Sequence, residues 1–401
     1  MPFLNTRKVT KEFLPYTRHS IEKDDVSAVV ATLESDFLTT GPLVERYEAA
    51  FATATAARNA VACNSGTAAL HLAALGLNLK VGEAAVVPAM TFLATANVVR
   101  MAQAEVLFAD VDPDTGLLSP ETLADALTRY SGAQRIRVGF PVHLNGQLCD
   151  MAGLAAVADQ HGIRLIEDAC HALGVEGIGS ARYSAGACFS THPAKAIATG
   201  EGGMVTTQDS DLGAHMRRLR THGMSRETSS FLNPDLAFED GATNPWYFEM
   251  SEIGWNYRLP DILCALGLSQ LKKLNRFMAR RRQIAALYES LLAPLSPVIY
   301  PVSRGSDTPH GWHLYAILVD FAALATTRLR FMASLRRAGI GTQVHYIPLH
   351  WQPYYRHRYG DIALPGAEAY YSRCLSIPLF PGMTDDDVHR VVATISKFVQ
   401  Q

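Results

Sequence analysis

The sequence carries almost no surplus of charge: 36 Lys and Arg against 38 Asp and Glu leave a formal net charge of −2. Without a basic excess there is little to neutralise a phosphate backbone, so no nucleic-acid partner is expected. Cysteine is scarce too. Cys63, Cys149, Cys170, Cys188, Cys264 and Cys374 are scattered through 401 residues, and no pair has the C-x-x-C spacing of a redox or zinc site. So few cysteines in so long a chain do not make a disulfide framework, which points to a reducing, cytoplasmic setting. No apolar run approaches the ~18 residues of a membrane span, so no membrane partner is expected. The stretch from Met1 to Lys8 is not followed by the apolar segment of a secretory signal. His345, His350 and His357 match no zinc spacing, so no metal is expected either.

What remains is a composition that is 48% hydrophobic, enough for a large core divided over two domains. The first two-thirds alternates short β-branched runs with amphipathic stretches. Candidate strands are Ala60–Cys63, Ala85–Pro88, Glu105–Val111, Ile136–Val142, Arg164–Glu167, Ala187–Thr191 and Gly203–Thr207. Helical patterns separate most of them: Thr67–Leu77, Pro120–Tyr130, Met151–His161 and Asp209–Thr221. This alternation predicts an α/β fold with a mostly parallel seven-stranded sheet. Arg226–Met250 reads as a long loop, and one helix is predicted from Pro260 to Leu292. Beyond it, strands at Trp312–Leu318 and Gly341–His345 and helices at Thr327–Ala338 and Asp385–Phe398 predict a smaller α+β domain. The division expected is 1–280 and 281–401.

Three segments carry chemistry. In Cys63-Asn64-Ser65-Gly66-Thr67-Ala68-Ala69-Leu70 a strand ends in a small polar turn and a helix begins at once. The free N–H groups and positive dipole end of such a turn suit an anion, a phosphate above all; alone, the segment is equally a plain Ser/Thr helix cap. In Leu165-Ile166-Glu167-Asp168-Ala169-Cys170-His171-Ala172, Asp168 falls at the carboxyl end of a buried strand, where α/β folds place ligands. Alone it is also a helix cap or half of a structural ion pair. In Cys188-Phe189-Ser190-Thr191-His192-Pro193-Ala194-Lys195, the lysine sits in a small-residue loop ahead of Gly200, Gly202 and Gly203, glycines that suggest a crowded backbone. A lysine in a pocket loses its proton more easily and can form a Schiff base, whereas a random lysine is a solvated surface group. A phosphate turn, a strand-end Asp and a loop Lys, in this order, are the parts expected of a pyridoxal 5'-phosphate enzyme.

With these residues in view, the sequence resembles the DegT/DnrJ/EryC1/StrS sugar aminotransferase family from about Phe13 to the C-terminus. The similarity runs through Gly66–Leu70, Pro88–Asn97, Pro141–Gln147, Glu167–His171, the Lys195 loop, Gly254–Leu259 and Gln343–His350. Pro15-Tyr16, Ser35–Pro42, Pro245–Met250 and Ala265–Lys272 resemble the pseudaminic acid branch of that family. The resemblance implies the fold type I architecture of pyridoxal phosphate-dependent transferases, L-glutamate as amino donor, and a UDP-linked 4-keto-6-deoxy sugar as acceptor. It also implies a homodimer with shared active sites. Lys195 is then the Schiff-base lysine, Asp168 the partner of the pyridine nitrogen and His171 a neighbour of the ring hydroxyl. Phe92 stacks on the ring. Ser65, Gly66, Thr67 and Ser190 take the phosphate, joined by Asn256 of the neighbouring subunit. Tyr16, Asp36, Phe37, Leu38, Thr39, Tyr257, Arg258, His345 and Tyr346 are the implied substrate contacts. Tyr16 and Tyr257 also read as core aromatics, and Arg258 as an ion-pair residue.

Two features depart from the family or test it. Arg182–Ala187 replaces its Gly-Ser/Thr-Phe-Gly-Asp pattern, which bears on strand packing. A subset of the family has His at the lysine position and dehydrates its substrate, so Lys195 implies transamination. Other readings are a different nucleotide-sugar 3- or 4-keto aminotransferase, a non-catalytic sensor on this fold, or a nicotinamide-dependent oxidoreductase. The last needs a glycine fingerprint after the first strand; Gly174, Gly177 and Gly179 come too late.

Overall fold

The computed structural model describes residues 13–302 and 309–399; the stretch from Met1 to Lys8 discussed above lies outside them. Two helices, α1 (Lys23–Leu33) and α2 (Pro42–Ala54), lead into an alternating series. It comprises β1 (Asn59–Cys63), α3 (Gly66–Gly76), β2 (Glu83–Pro88), α4 (Leu93–Met101), β3 (Glu105–Ala109), α5 (Pro120–Arg129) and β4 (Arg135–Gly139). It continues with α6 (Met151–Gln160), β5 (Arg164–Asp168), β6 (Gly186–Ser190), β7 (Gly203–Thr207) and α7 (Ser210–Arg220). The seven strands form one sheet in the order β1-β7-β6-β5-β4-β2-β3. Only β7 runs against its neighbours. Every residue of β6 and β7 is buried, the pattern of strands covered on both faces. The seven expected strands are all present, within a few residues of their expected ends.

The segment expected to be one long loop holds short regular elements. It holds β8 (Met224–Ser225), α8 (Pro234–Ala237), β9 (Phe238–Glu239), β10 (Ala242–Thr243) and β11 (Glu249–Met250) in two small ribbons. The Glu249 carboxylate accepts the Leu232 and Asn233 N–H groups and the Tyr247 hydroxyl, each at 2.8 Å. The single helix expected from Pro260 to Leu292 is two: α9 (Asp261–Leu271) and α10 (Leu274–Leu292). The break falls at Lys273, whose ammonium is drawn to Asp24 and Asp25 of α1, both at 2.7 Å. That attraction is tertiary, and the apolar period runs straight through it.

The remainder comprises β12 (Ile299–Pro301), β13 (Tyr315–Val319), α11 (Arg328–Arg337), α12 (Pro353–Tyr359), α13 (Pro365–Arg373), β14 (Cys374–Ile377) and α14 (Asp385–Val399). Its three strands form an antiparallel sheet in the order β12-β13-β14. The strand expected at Gly341–His345 is not one: only Gln343 bridges Ser376. Helix α10 serves two cores, with Leu274 and Met278 beneath the large sheet and Ile284, Tyr288 and Leu292 in a second cluster with α14. Leu14 of the N-terminal arm joins that second cluster and bonds to Gly339 and Gly341. No helix among the described residues is long and apolar enough to cross a membrane.

Candidate active site

The parallel strands β1, β2, β5 and β6 end on the same edge of the sheet. A cavity of about 570 Å³ opens there, closed on its other side by Tyr16, His313 and Gln343–Tyr346. Ser65, which follows β1, caps α3 by accepting the Ala68 N–H at 3.1 Å, so the plain helix-cap reading is correct as far as it goes. The Gly66 and Thr67 N–H groups have no partner within the helix and point from its positive end. A Cβ on Gly66 would lie 2.7 Å from the Ser190 Cβ, so only glycine lets the turn meet the end of β6. The crowding suggested by the later glycines is real: a Cβ on Gly203 would collide with the Ser65 carbonyl.

Asp168 ends β5, held by its N–H to Pro141 O and its carbonyl to His143 N. Its side chain accepts two neutral donors: the Thr95 hydroxyl at 2.7 Å on Oδ2 and the Cys170 N–H at 3.2 Å on Oδ1. Because Thr95 gives its proton to Asp168, Thr91, 2.9 Å away, must donate to Thr95. A buried carboxylate served only by neutral donors is a site for a cation arriving in the cavity. Lys195 lies in the loop after β6, partly buried, and burial pushes its ammonium below the usual range, opposed by Cys170 and Asp168.

Facing it is a set of imidazoles. His171 Nδ1 accepts the Asn145 N–H at 3.2 Å, so the neutral ring carries its proton on Nε2, 3.3 Å from the Tyr346 hydroxyl. His313 lies against it with ring centroids 4.3 Å apart. Burial holds both far below the usual histidine range, helped by the Lys195 charge and by neighbouring imidazoles. His345, bonded to Ser376 Oγ at 2.8 Å, is pulled down to about 3 by burial and then by Lys195. His313 follows Trp312, a bulky residue at φ 42°, where left-handed backbone costs ~1–3 kcal/mol and survives only if its surroundings enforce it. Phe92, at the start of α4, is 54% exposed with its ring 5.8 Å from that of Tyr346. A bare phenyl face in a cavity wall is a platform for a flat heterocycle.

The cavity therefore gathers Ser65, Gly66, Thr67, Phe92, Asp168, His171, Ser190 and Lys195 with Tyr16, His345 and Tyr346. It does not gather the rest. Asp36 and Phe37 line a different cavity, of about 540 Å³, between α1, α2 and α9, and Leu38 and Thr39 are exposed beside it. Asn256, Tyr257 and Arg258 lie along the end of α7. There Asn256 pairs with Thr221, and the Tyr257 hydroxyl is 3.1 Å from His71 Nδ1. Tyr257 packs against the core, and Arg258 makes no ion pair among the described residues. The sequence reading passed over Thr91, Thr95 and His313. The two threonines stand four positions apart within the Pro88–Asn97 segment, at helical spacing, which marks them as neighbours on one face. Nothing in the sequence marked His313.

The donors and the cradle fit pyridoxal phosphate: an anion turn, a carboxylate awaiting a cation, an aromatic face and a half-buried lysine. The DegT/DnrJ/EryC1/StrS aminotransferase family model matches residues 19–396. The chain is 38% identical to the spore coat polysaccharide biosynthesis protein SpsC of Bacillus subtilis over 399 residues, 97% of each. It superposes with a TM-score of 0.85 on Helicobacter pylori PseC, an aminotransferase involved in the biosynthesis of pseudoaminic acid. That match has 26% identity and covers 97% of this chain and 99% of the other. Spr1654 of Streptococcus pneumoniae, solved in PLP and PMP forms, is also 26% identical, with a TM-score of 0.86 for the PMP form over 96% of this chain and 99% of that one. The chain belongs to the DegT/DnrJ/EryC1/StrS aminotransferase family and is a pyridoxal phosphate-dependent aminotransferase.

Proposed function

We propose that the protein aminates C4 of a UDP-linked 4-keto-6-deoxy-N-acetylhexosamine. The acceptor would be UDP-2-acetamido-2,6-dideoxy-β-L-arabino-hexos-4-ulose, the donor L-glutamate and the product UDP-4-amino-4,6-dideoxy-N-acetyl-β-L-altrosamine. The observation that carries this reading is the cavity at the strand ends, in a chain that matches PseC over almost its whole length. When bound, pyridoxal phosphate supplies an electron sink for the carbon bearing the amine.

The chain's own groups do the rest. Ser65, Gly66, Thr67 and Ser190 hold a phosphate on N–H and hydroxyl groups, which needs no basic surface. Asp168, steadied by Thr95, keeps a proton on the pyridine nitrogen. Phe92 fixes the ring plane, and His171 offers Nε2–H to the ring hydroxyl. Lys195 Nζ, made a better base by burial, takes the proton from the glutamate Cα and later returns one to the sugar C4. Tyr16, His345 and Tyr346 contact the sugar.

The protein acts as a cytoplasmic homodimer. Asn256 of the partner subunit then completes the phosphate site, while Asp36–Thr39, Tyr257 and Arg258 serve the neighbouring subunit's substrate. Among the described residues Lys195 is the only Lys or Arg lining the cavity, which leaves a dicarboxylate donor to seek its cation elsewhere.

The similarity to SpsC supports a second reading, another UDP- or dTDP-linked 3- or 4-keto sugar as acceptor. The two separate on a panel of keto sugars with L-glutamate, with products identified by mass and NMR. Conversion of the L-arabino 4-keto compound is expected; conversion of a D-xylo isomer instead would select the second reading.

A further inference from the structure

Arg281, on α10, is 1% exposed. Its Nη1 donates to three carbonyls: Trp312 at 2.9 Å, His313 at 3.2 Å and Leu379 at 3.1 Å. Among the described residues no carboxylate pairs with it, and its Nε is buried with no hydrogen-bond partner. A cation surrendered to the interior for carbonyls alone is poor value as a source of stability, so its position calls for another explanation. Each carbonyl it grips belongs to a segment that builds the cavity. His313 lies on the face of His171, and the backbone before it is the left-handed Trp312. Leu379 donates its N–H to the Tyr16 carbonyl at 3.0 Å, and Tyr16 lines the same cavity.

We infer that Arg281 is a positioning residue for the transamination site: from α10 it holds the strained Trp312–His313 segment against His171 and, through Leu379, sets the arm that carries Tyr16. This rests on the assignment of Lys195 and His171 to the reaction and touches neither substrate. The guanidinium meets no ligand itself; it acts by fixing where an imidazole and a phenol stand. Reaching from the helix shared by both cores, it ties the placement of the smaller domain to the proton-handling side of the cavity.

The test uses holoenzyme and three readouts: the melting temperature, the pre-steady-state rate with L-glutamate, and the pH midpoint of the visible band of the Lys195 Schiff base. That band reports the groups around Lys195, namely Asp168, Cys170, His171, His313 and His345. In Arg281→Met the melting temperature is expected to stay within about 4 °C of wild type, because the variant also sheds the cost of a buried charge. The glutamate rate should fall about 10- to 100-fold, mainly in kcat, and the band midpoint should move. Arg281→Lys, whose ammonium can donate to the same carbonyls, should recover most of the loss. The double variant Arg281→Met with His313→Phe should be no slower than the worse single variant, because both act on one contact. Wild-type rate and midpoint in Arg281→Met, or a double variant showing the full product of the two losses, would overturn the assignment. If Arg281→Met does not fold, Arg281→Gln, too short to reach the three carbonyls together, closes the same cycle with the same criteria. The band midpoint is read without sugar, so failure of the sugar assignment leaves this test intact.

Discussion

Two parts of the expected site reach their positions in different ways. Ser65–Thr67, Asp168, Ser190 and Lys195 are delivered by the carboxyl ends of β1, β5 and β6 of one sheet, so strand order alone brings residues 130 apart into one cavity. Asp36–Thr39 and Asn256–Arg258 hang on helices at the outside of that sheet and do not line the cavity of their own chain. In the first set Asp168 and Ser190 are buried and Ser65–Thr67 and Lys195 half-buried, on backbone held by hydrogen bonds within the chain. The second is exposed or half-buried, and Arg258 in particular has no counter-ion among the described residues. Parallel strand ends converge by geometry; peripheral loops acquire a common site only when something else is laid against them.

The comparison can be broken most sharply by mixing chains. Lys195→Ala alone should lower turnover by at least about 10³-fold and abolish the visible band. Arg258→Ala alone should keep the band and lose most turnover. Co-expression of the two should restore roughly a quarter of wild-type activity, through dimers in which one site is intact. Restoration that never exceeds the sum of the two single variants would mean that each chain completes its own site.

Within the cavity, Gly66→Val should do more harm than its distance from the chemistry suggests. A Cβ there already meets Ser190 at 2.7 Å, so phosphate and β6 are displaced together. Cofactor affinity measured by fluorescence titration should drop by about 100-fold or more. A smaller effect is expected of Thr95→Val. It leaves Asp168 Oδ2 without its donor, at ~1–3 kcal/mol, or about 10- to 100-fold in cofactor affinity, and Thr95→Ser should recover it. Unchanged affinity in the valine variant would remove the hydroxyl chain from the account.

The weakest effect concerns pH. His171, His313 and His345 are all depressed in the folded chain, while the unfolded chain titrates near 6.5. Below that pH the unfolded state binds more protons, so stability is full above about 6.5 and declines as the pH falls. Melting temperature should drop between pH 7 and 5, and His345→Phe should flatten the drop. An equal slope in the variant would assign the loss to other buried imidazoles, such as His71, held at about 4 by burial.

Local order explains what could be read in advance. The seven strands announce themselves because each is a short apolar run closed by a turn. The Ser65–Thr67 turn, Asp168 and Lys195 could be picked out because each sits where such a run stops. Where an interaction between distant segments decides the matter, the pattern misleads. The apolar period passes through Lys272 and Lys273 unbroken, yet α1 contributes Asp24 and Asp25 and ends the helix there. The flap from Arg226 to Met250 lacks any period, and a single glutamate organises it.

By itself the sequence determined the strand–helix alternation, the anion turn and the order of the chemical groups, because these depend on neighbours along the chain. Only the tertiary structure decided that His313 would face His171, that Thr95 would serve Asp168, and that Arg281 would lie buried beneath them. Those contacts span 32 to 142 residues of sequence, where no periodicity carries information and only packing settles which groups meet.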